Sequence, residues 1–241
     1  MLFAAGLGTR LRPLTNTMPK AMVPINNRPL IDIVLKHLIE QGATEVVVNV
    51  HHFAQQIIDY INHNQWPIPI TISDETQELL NTGGGLRHAE TCFSATDSPI
   101  LIHNVDILSN ADLRTFYINN QDADATLLVS NRVTQRYLLF DDSMTLKGWT
   151  NIATGEIKSP YPNLNINNLH KYAFSGIHLF SPRMFRLMDD KPEAFPIMDF
   201  YLEMCCKANI KGMVCPNLKL MDVGKLNTLH EAEHFVKELG L

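Results

Sequence analysis

Apolar residues recur along the chain in two rhythms. Over residues 29–42, Leu30, Ile31, Val34, Leu35, Leu38 and Ile39 fall at helical spacing. Pro29 suits the first turn of such a helix and Gly42 its stop. Residues 45–50 (EVVVNV) form a β-branched run without alternation, the pattern of a strand covered on both faces. Residues 1–5 are small and apolar and predict a short buried strand. Phe53, Ile57, Ile58 and Ile61 predict a second helix, and residues 68–72 another strand. Further on come a short helix through Ala89 and Cys92, a strand over 99–108, a helix over 111–119 and a strand over 125–130. Strand and helix alternate throughout, which predicts an α/β domain with a largely parallel sheet and right-handed crossovers.

The character changes at Asn131. Residues 137–149 read as a hairpin, and a polar, asparagine-rich segment follows over 160–168. Residues 131–172 therefore predict a small inserted sheet with a loop over the site, within a single domain spanning 1–241. Trp149 in this hairpin suits either stacking on a ligand ring or packing the hairpin. Residues 173–180 return to strand character, and Gly176 within them marks close approach by a ligand or another backbone. Ser181-Pro182 opens a helix to Met188, residues 196–207 form another, and a final strand over 218–223 leads into a helix over 226–239.

Between the first strand and first helix lies Gly6-Leu7-Gly8-Thr9-Arg10. Two glycines one residue apart let backbone N–H groups turn toward an anion. Arg10, Arg12 and Lys20 place three cations in this segment of a chain with net charge -5. Cations gathered against the overall balance point to a local anionic ligand. A Walker A loop needs Lys-Ser/Thr after its second glycine, and Thr9-Arg10 stands there instead. A dinucleotide fingerprint needs a third small residue where Leu11 stands, and Pro13 opposes a helix starting there.

Three more places carry candidate chemistry. Asn81-Thr82-Gly83-Gly84-Gly85 holds three consecutive glycines, which suit either a flexible hinge or a loop lying flat against a planar base. The strand over 99–108 stops at Asn104 and Asp106, and ligands of open parallel sheets sit beyond such strand ends. The last strand delivers Asp222 to its end, where Gly224 turns the chain. His51, His52, His63, His88 and His103 read as structural; adjacent residues of a strand end point to opposite sides, which disfavours a His51–His52 metal pair.

Composition narrows the picture further. A length of 241 residues with 45% hydrophobic content and 13 prolines describes a globular protein. No run approaches the ~20 apolar residues that span a bilayer. Mild acidity without basic clusters argues against nucleic acid. None of the four cysteines forms a CxxC pair, so buried thiols are expected rather than zinc. A cytoplasmic location fits. The first strand is short for a central position, which fits either Met1 as an internal methionine taken as the start or the absence of an upstream piece.

The run Gly6-x-Gly8-Thr9-Arg10-x-Arg12-Pro13-Leu14-Thr15…Pro19-Lys20-x-x-x-Pro24 closely resembles the signature of the sugar-phosphate nucleotidyltransferases. The resemblance covers almost the whole chain and is weakest over 131–169. It implies a Rossmann-like doubly wound, mostly parallel sheet, the nucleotide-diphospho-sugar transferase fold. It also implies transfer of a nucleotidyl group from a nucleoside triphosphate to a sugar 1-phosphate, with release of pyrophosphate. Gly6, Leu7, Gly8, Thr9 and Arg10 would hold the nucleotide phosphates, and Arg10 and Lys20 would act in catalysis. Thr82, Gly83, Gly84 and Asn104 would contact the nucleotide, the glycine segment selecting the base. Asp106 and Asp222 would hold Mg²⁺. Ser175, Gly176 and Asn151 would contact the sugar, with 195–204 (FPIMDFYLEM) delimiting its pocket. The Thr-Gly-Gly-Gly form resembles the branch containing N-acetylmuramic acid 1-phosphate uridylyltransferase, which points to UTP. Glucose 1-phosphate with dTTP or UTP, and mannose 1-phosphate with GTP, remain open, as does a monomer or homodimer. Lys219-Leu-Met and Lys225 depart from the family's usual residues around the second aspartate. A non-catalytic binding module is disfavoured because Arg10, Lys20, Asp106 and Asp222 are all present, and a nicotinamide enzyme because of Leu11 and Pro13.

Overall fold

A computed structural model describes residues 1–94 and 97–241. In chain order the elements are β1 (Leu2–Phe3), β2 (Pro24–Ile25), β3 (Arg28–Pro29), α1 (Leu30–Glu40), β4 (Val46–Val50), α2 (Ala54–His63) and β5 (Ile70–Asp74). Next come α3 (Asn81–His88), β6 (Ile100–Asn104), β7 (Ile107–Ser109), α4 (Leu113–Asn119), β8 (Ala125–Ser130), β9 (Arg136–Phe140) and β10 (Leu146–Asn151). β11 (Glu156–Lys158), β12 (His170–Phe180), α5 (Ile197–Met204), β13 (Ile210–Val214), β14 (Leu220–Asp222) and α6 (Leu229–Leu239) complete the chain.

β5, β4, β1 and β6 lie side by side and run parallel. The doubly wound half expected from the alternating elements is therefore present. Strand β1 sits between β4 and β6, so the segment that follows it emerges from the middle of the sheet. Side chains of β4 show why its sequence lacks alternation: Val46, Val48 and Val50 enter one core and Val47 the other. Fully burying each valine contributes on the order of 1.5–3 kcal/mol. Helices α1, α2, α4 and α6 cover the first face, and α3 and α5 the second.

β12 joins the two halves of the sheet. Its last residues pair antiparallel with β6 on one edge and β8 on the other, and residues at its start pair antiparallel with β9. β10 and β11 extend from β9. The segment read as a small inserted sheet joins the main sheet through β12. Trp149 packs partly buried on the second core, with Lys158 Nζ 5.5 Å from its ring centroid.

Other elements differ from the sequence expectation. The strand read over 99–108 breaks at Val105–Asp106 into β6 and β7, which then pairs with β14 rather than with the main sheet. The helix over residues 182–188 is a 3-10 helix. β13, and the β2–β3 hairpin turning through Asn26 and Asn27 at φ 50 and 61, were not predicted. The hairpin signal is an Asn-Asn pair, since asparagine tolerates the left-handed region that a two-residue turn requires. Gly42, at φ 98, closes α1 as expected.

Candidate active site

The segment leaving β1 folds back on itself. Gly8 lies at φ 61, and its carbonyl accepts both the Leu11 N–H at 2.9 Å and the Thr15 hydroxyl at 2.8 Å. A Cβ at Gly8 would stand 3.0 Å from both Lys20 Cβ and Thr15 Cγ2. The glycine thus lets the loop close against Lys20. Gly6, by contrast, has nothing within 4 Å of a Cβ position, and Leu7 is exposed.

Asp106 and Asp222 come together through the small β7–β14 ribbon. Ile107 pairs with Asp222, and the Val223 N–H donates to the Asp106 carbonyl at 2.8 Å. Both carboxylates reach the same ammonium. Lys20 Nζ is hydrogen-bonded to Asp106 Oδ2 and lies 3.8 Å from Asp222 Oδ1. Arg10 Nη2 lies 3.8 Å from Asp222 Oδ2. Gly224 makes this possible, because a Cβ there would stand 2.5 Å from Asp222 Oδ1 and 2.9 Å from Arg10 Nη2. Exposure rises outward, from 10% for the Lys20 side chain through 22% for Asp106 to 47% for Asp222 and 59% for Arg10. The buried member is a lysine held by carboxylates, while the outer members stay open to a charged ligand.

A cleft of about 260 Å³ opens beside this cluster. Ala4, Ala5 and Gly6 form one side, Asn81 and Thr82 another, and Lys20, Asn104 and Asp106 a third. It lies at the C-terminal ends of β1, β4 and β6, as open parallel sheets favour. A larger cavity, about 1020 Å³, opens at the opposite strand ends around Met1, Val46 and Leu101. No residue expected in the site lines that cavity, and volume alone does not outweigh the cleft's convergence of charge.

The triglycine segment corrects the sequence reading. Residues 81–85 are not a flat loop but the opening turns of α3, and Gly83 and Gly84 are buried. A Cβ at Gly83 would stand 2.4 Å from the Phe195 ring, and one at Gly84 2.2 Å from the Glu193 carbonyl. Thr82 does line the cleft, and its hydroxyl accepts the Ile197 N–H at 2.9 Å. The residues expected around a sugar also stand apart from the cleft. Ser175 is buried, and its hydroxyl donates to the Leu128 carbonyl at 2.7 Å, the carbonyl skipped by the irregularity in the β8–β12 ladder. Gly176, at φ 79, does mark a close approach: a Cβ there would stand 2.8 Å from the Asn104 side chain. Asn151 accepts the Ala153 N–H at 3.0 Å in a local turn and does not line the cleft.

The sequence reading passed over two cleft residues, Asn49 and Glu75. The only signal is interruption: a polar residue inside a β-branched strand, and a carboxylate directly after one. Both are buried, and the Asn49 amide donates to Glu75 Oε1 at 2.7 Å. Burial raises the Glu75 carboxyl above its usual range, and the Asn49 hydrogen bond partly offsets this. Among the histidines read as structural, His51 pairs with the Glu75 carbonyl, His63 with that of Asp59 and His88 with that of Asp74, while the buried His103 uses Nδ1 on the Asn104 carbonyl and leaves Nε2 unpartnered. Among the described residues no group of three or more His, Cys, Asp or Glu side chains suits a metal, so the acidic pair is a two-carboxylate arrangement. Among them no helix is long and apolar enough to cross a membrane.

Sheet, loop and acidic pair define an open-sheet α/β domain with a cleft suited to a polyanion. The family profile described as nucleotidyl transferase matches residues 1–137, more than half of the chain, and the chain belongs to that family. It is 40% identical over 109 residues to N-acetylmuramate alpha-1-phosphate uridylyltransferase of Caulobacter vibrioides, covering 44% of each chain. It is 27% identical over 209 residues to mannose-1-phosphate guanyltransferase of Kluyveromyces lactis, covering 82% of this chain and 55% of the relative. The chain thus spans about half the length of these curated relatives. The fold matches crystalline HddC from Yersinia pseudotuberculosis with TM-score 0.76 at 22% identity, covering 97% of both chains.

Proposed function

We propose that this chain transfers a nucleotidyl group from a nucleoside triphosphate to a sugar 1-phosphate, releasing pyrophosphate and forming a nucleoside diphosphate sugar. The observation that carries the reading is Lys20 held between Asp106 and Asp222 at the mouth of the glycine loop. The loop's backbone and Arg10 receive the triphosphate. Lys20 neutralises charge between the α-phosphate and the incoming sugar phosphate. The sugar-phosphate oxygen attacks the α-phosphorus in line, and pyrophosphate leaves with no covalent enzyme intermediate. Positioning and charge neutralisation are the main contributions a protein makes to such transfer.

Asp106 and Asp222, two hard oxygen donors that both reach the Lys20 ammonium, would hold a divalent cation such as Mg²⁺ once that ammonium turns to the phosphates. Bound there, the ion would lower the charge density of the triphosphate. Gly176 clears space for Asn104, which faces the cleft and is the group best placed to read the substrates.

UTP and N-acetylmuramic acid 1-phosphate are the favoured substrates, on the similarity to the Caulobacter vibrioides enzyme. GTP with mannose 1-phosphate is the second reading, supported by the longer similarity to the Kluyveromyces lactis protein. The test is pyrophosphate release across four nucleoside triphosphates and several sugar 1-phosphates, with Mg²⁺ and with chelator. Turnover by at least one pair, lost on chelation, is expected. Silence across the whole matrix would overturn the enzymatic reading.

A further inference from the structure

We propose that Asn49 and Glu75 form a buried positioning pair that fixes the phosphate loop relative to helix α3 and thereby sets nucleotide affinity. The proposal rests on the nucleotidyl-transfer reading above. Its basis is where the two ends of the pair go. Asn49 Oδ1 accepts the Ala4 N–H at 2.7 Å. Ala4 is the first residue past β1, at the root of the glycine loop. Asn49 Nδ2 donates to Glu75 Oε1 at 2.7 Å, and Glu75 Oε2 accepts the Leu80 N–H at 3.4 Å, directly before α3. One continuous chain of hydrogen bonds thus runs from the first wall of the cleft to the second, along its floor.

Two features argue that this pair serves the cleft rather than the core. A buried carboxylate costs desolvation that apolar packing in its place would avoid. The third glycine is also shaped for it: a Cβ at Gly85 would stand 2.4 Å from Glu75 Oε1 and 3.1 Å from Asn49 Nδ2. Gly83 and Gly84 clear residues 193–195, whereas Gly85 clears the pair.

The pair has a polarity that can be reversed. In Asn49→Asp an acceptor for the Ala4 N–H remains, but two carboxylate oxygens face each other and their repulsion pushes the pair apart, loosening the bonds at both ends. In Glu75→Gln the new amide opposes a donor, either at Asn49 or at Leu80. In the double variant, the new carboxylate at 49 accepts from the new amide at 75, whose carbonyl still accepts from Leu80. Net charge is unchanged and every partner is restored.

Kinetics use the best substrate pair from the matrix above. Each single variant is expected to raise the KM for the nucleoside triphosphate about tenfold, with the sugar-phosphate KM within about twofold, as loss of one buried hydrogen bond predicts. The double variant is expected to recover most of this. Amide hydrogen exchange read at Ala4 and Leu80 should speed up in the singles and slow again in the double. Equal rises in both KM values, a change in melting temperature alone, or no recovery in the double would overturn the proposal. Wild-type protein without turnover would sink nucleotidyl transfer, while exchange at Ala4 and Leu80 would still decide whether the pair tethers the two walls.

Discussion

The chain uses clustered glycine twice, for opposite ends. Around Gly6 the space is empty, Leu7 is exposed, and backbone is left available to an incoming ligand. At Gly83, Gly84 and Gly85 the space is full, and absence of a side chain lets a helix press against Phe195, the Glu193 carbonyl and Glu75. At Gly6 the first segment leaves space open, whereas the second gives up side chains to gain packing. Glycine-rich composition therefore marks places where backbone comes close to something, and leaves open whether that something is a ligand or the protein itself.

The largest expected effect lies beside the open loop. Lys20→Ala should lower kcat/KM by about 10²–10³ with the fold intact by circular dichroism, because a group aimed at developing charge is lost. Near-normal pyrophosphate release would remove Lys20 from its role. At the packed segment, Gly84→Ala should cost about 1–3 kcal/mol of stability in urea unfolding, since its Cβ meets a backbone carbonyl that cannot rotate away. An unchanged midpoint would mean that the packing there is looser than described. Gly6→Ala sharpens the contrast from the other side. Its stability should stay within about 0.5 kcal/mol of wild type, while the nucleotide KM rises.

The smallest effect appears only on acidification. His178 and His103 lie fully buried, and desolvation lowers their pKa from 6.5 to about 3 and about 4. The unfolded chain binds protons at these positions before the folded one does. Their contribution to stability is therefore complete above pH 6.5 and is lost as pH falls toward about 4 for His103 and about 3 for His178. His178→Phe, beside Phe174 and Tyr201, should make that decline shallower in urea titrations at several pH values. An identical slope would exclude His178 as a contributor.

Much of the fold was legible. The β-branched run at 45–50 announced a strand covered on both faces, and helical spacing located α1 nearly to its ends. The site's charged core was legible too, because cations beside a GxG turn and aspartates at strand ends are local patterns. Ser175 and Asn151 were harder: serine and asparagine bond as readily to protein backbone as to a ligand, and here Ser175 takes the carbonyl of a distant strand and Asn151 an N–H two residues on. Asn49 and Glu75 belong to no local pattern, since each becomes meaningful only through the other, 26 positions away.

Short-range physics, carried by residues a few places apart, determined the alternating elements, the cationic loop and the acidic strand ends. Only the tertiary structure decided that one ammonium draws both aspartates together, that the second glycine cluster opens a helix, and that a buried amide–carboxylate pair ties the cleft walls. Those outcomes depend on which distant segments touch, and contact between distant segments is set by how the sheet and its two covering layers pack, which no single stretch of sequence encodes.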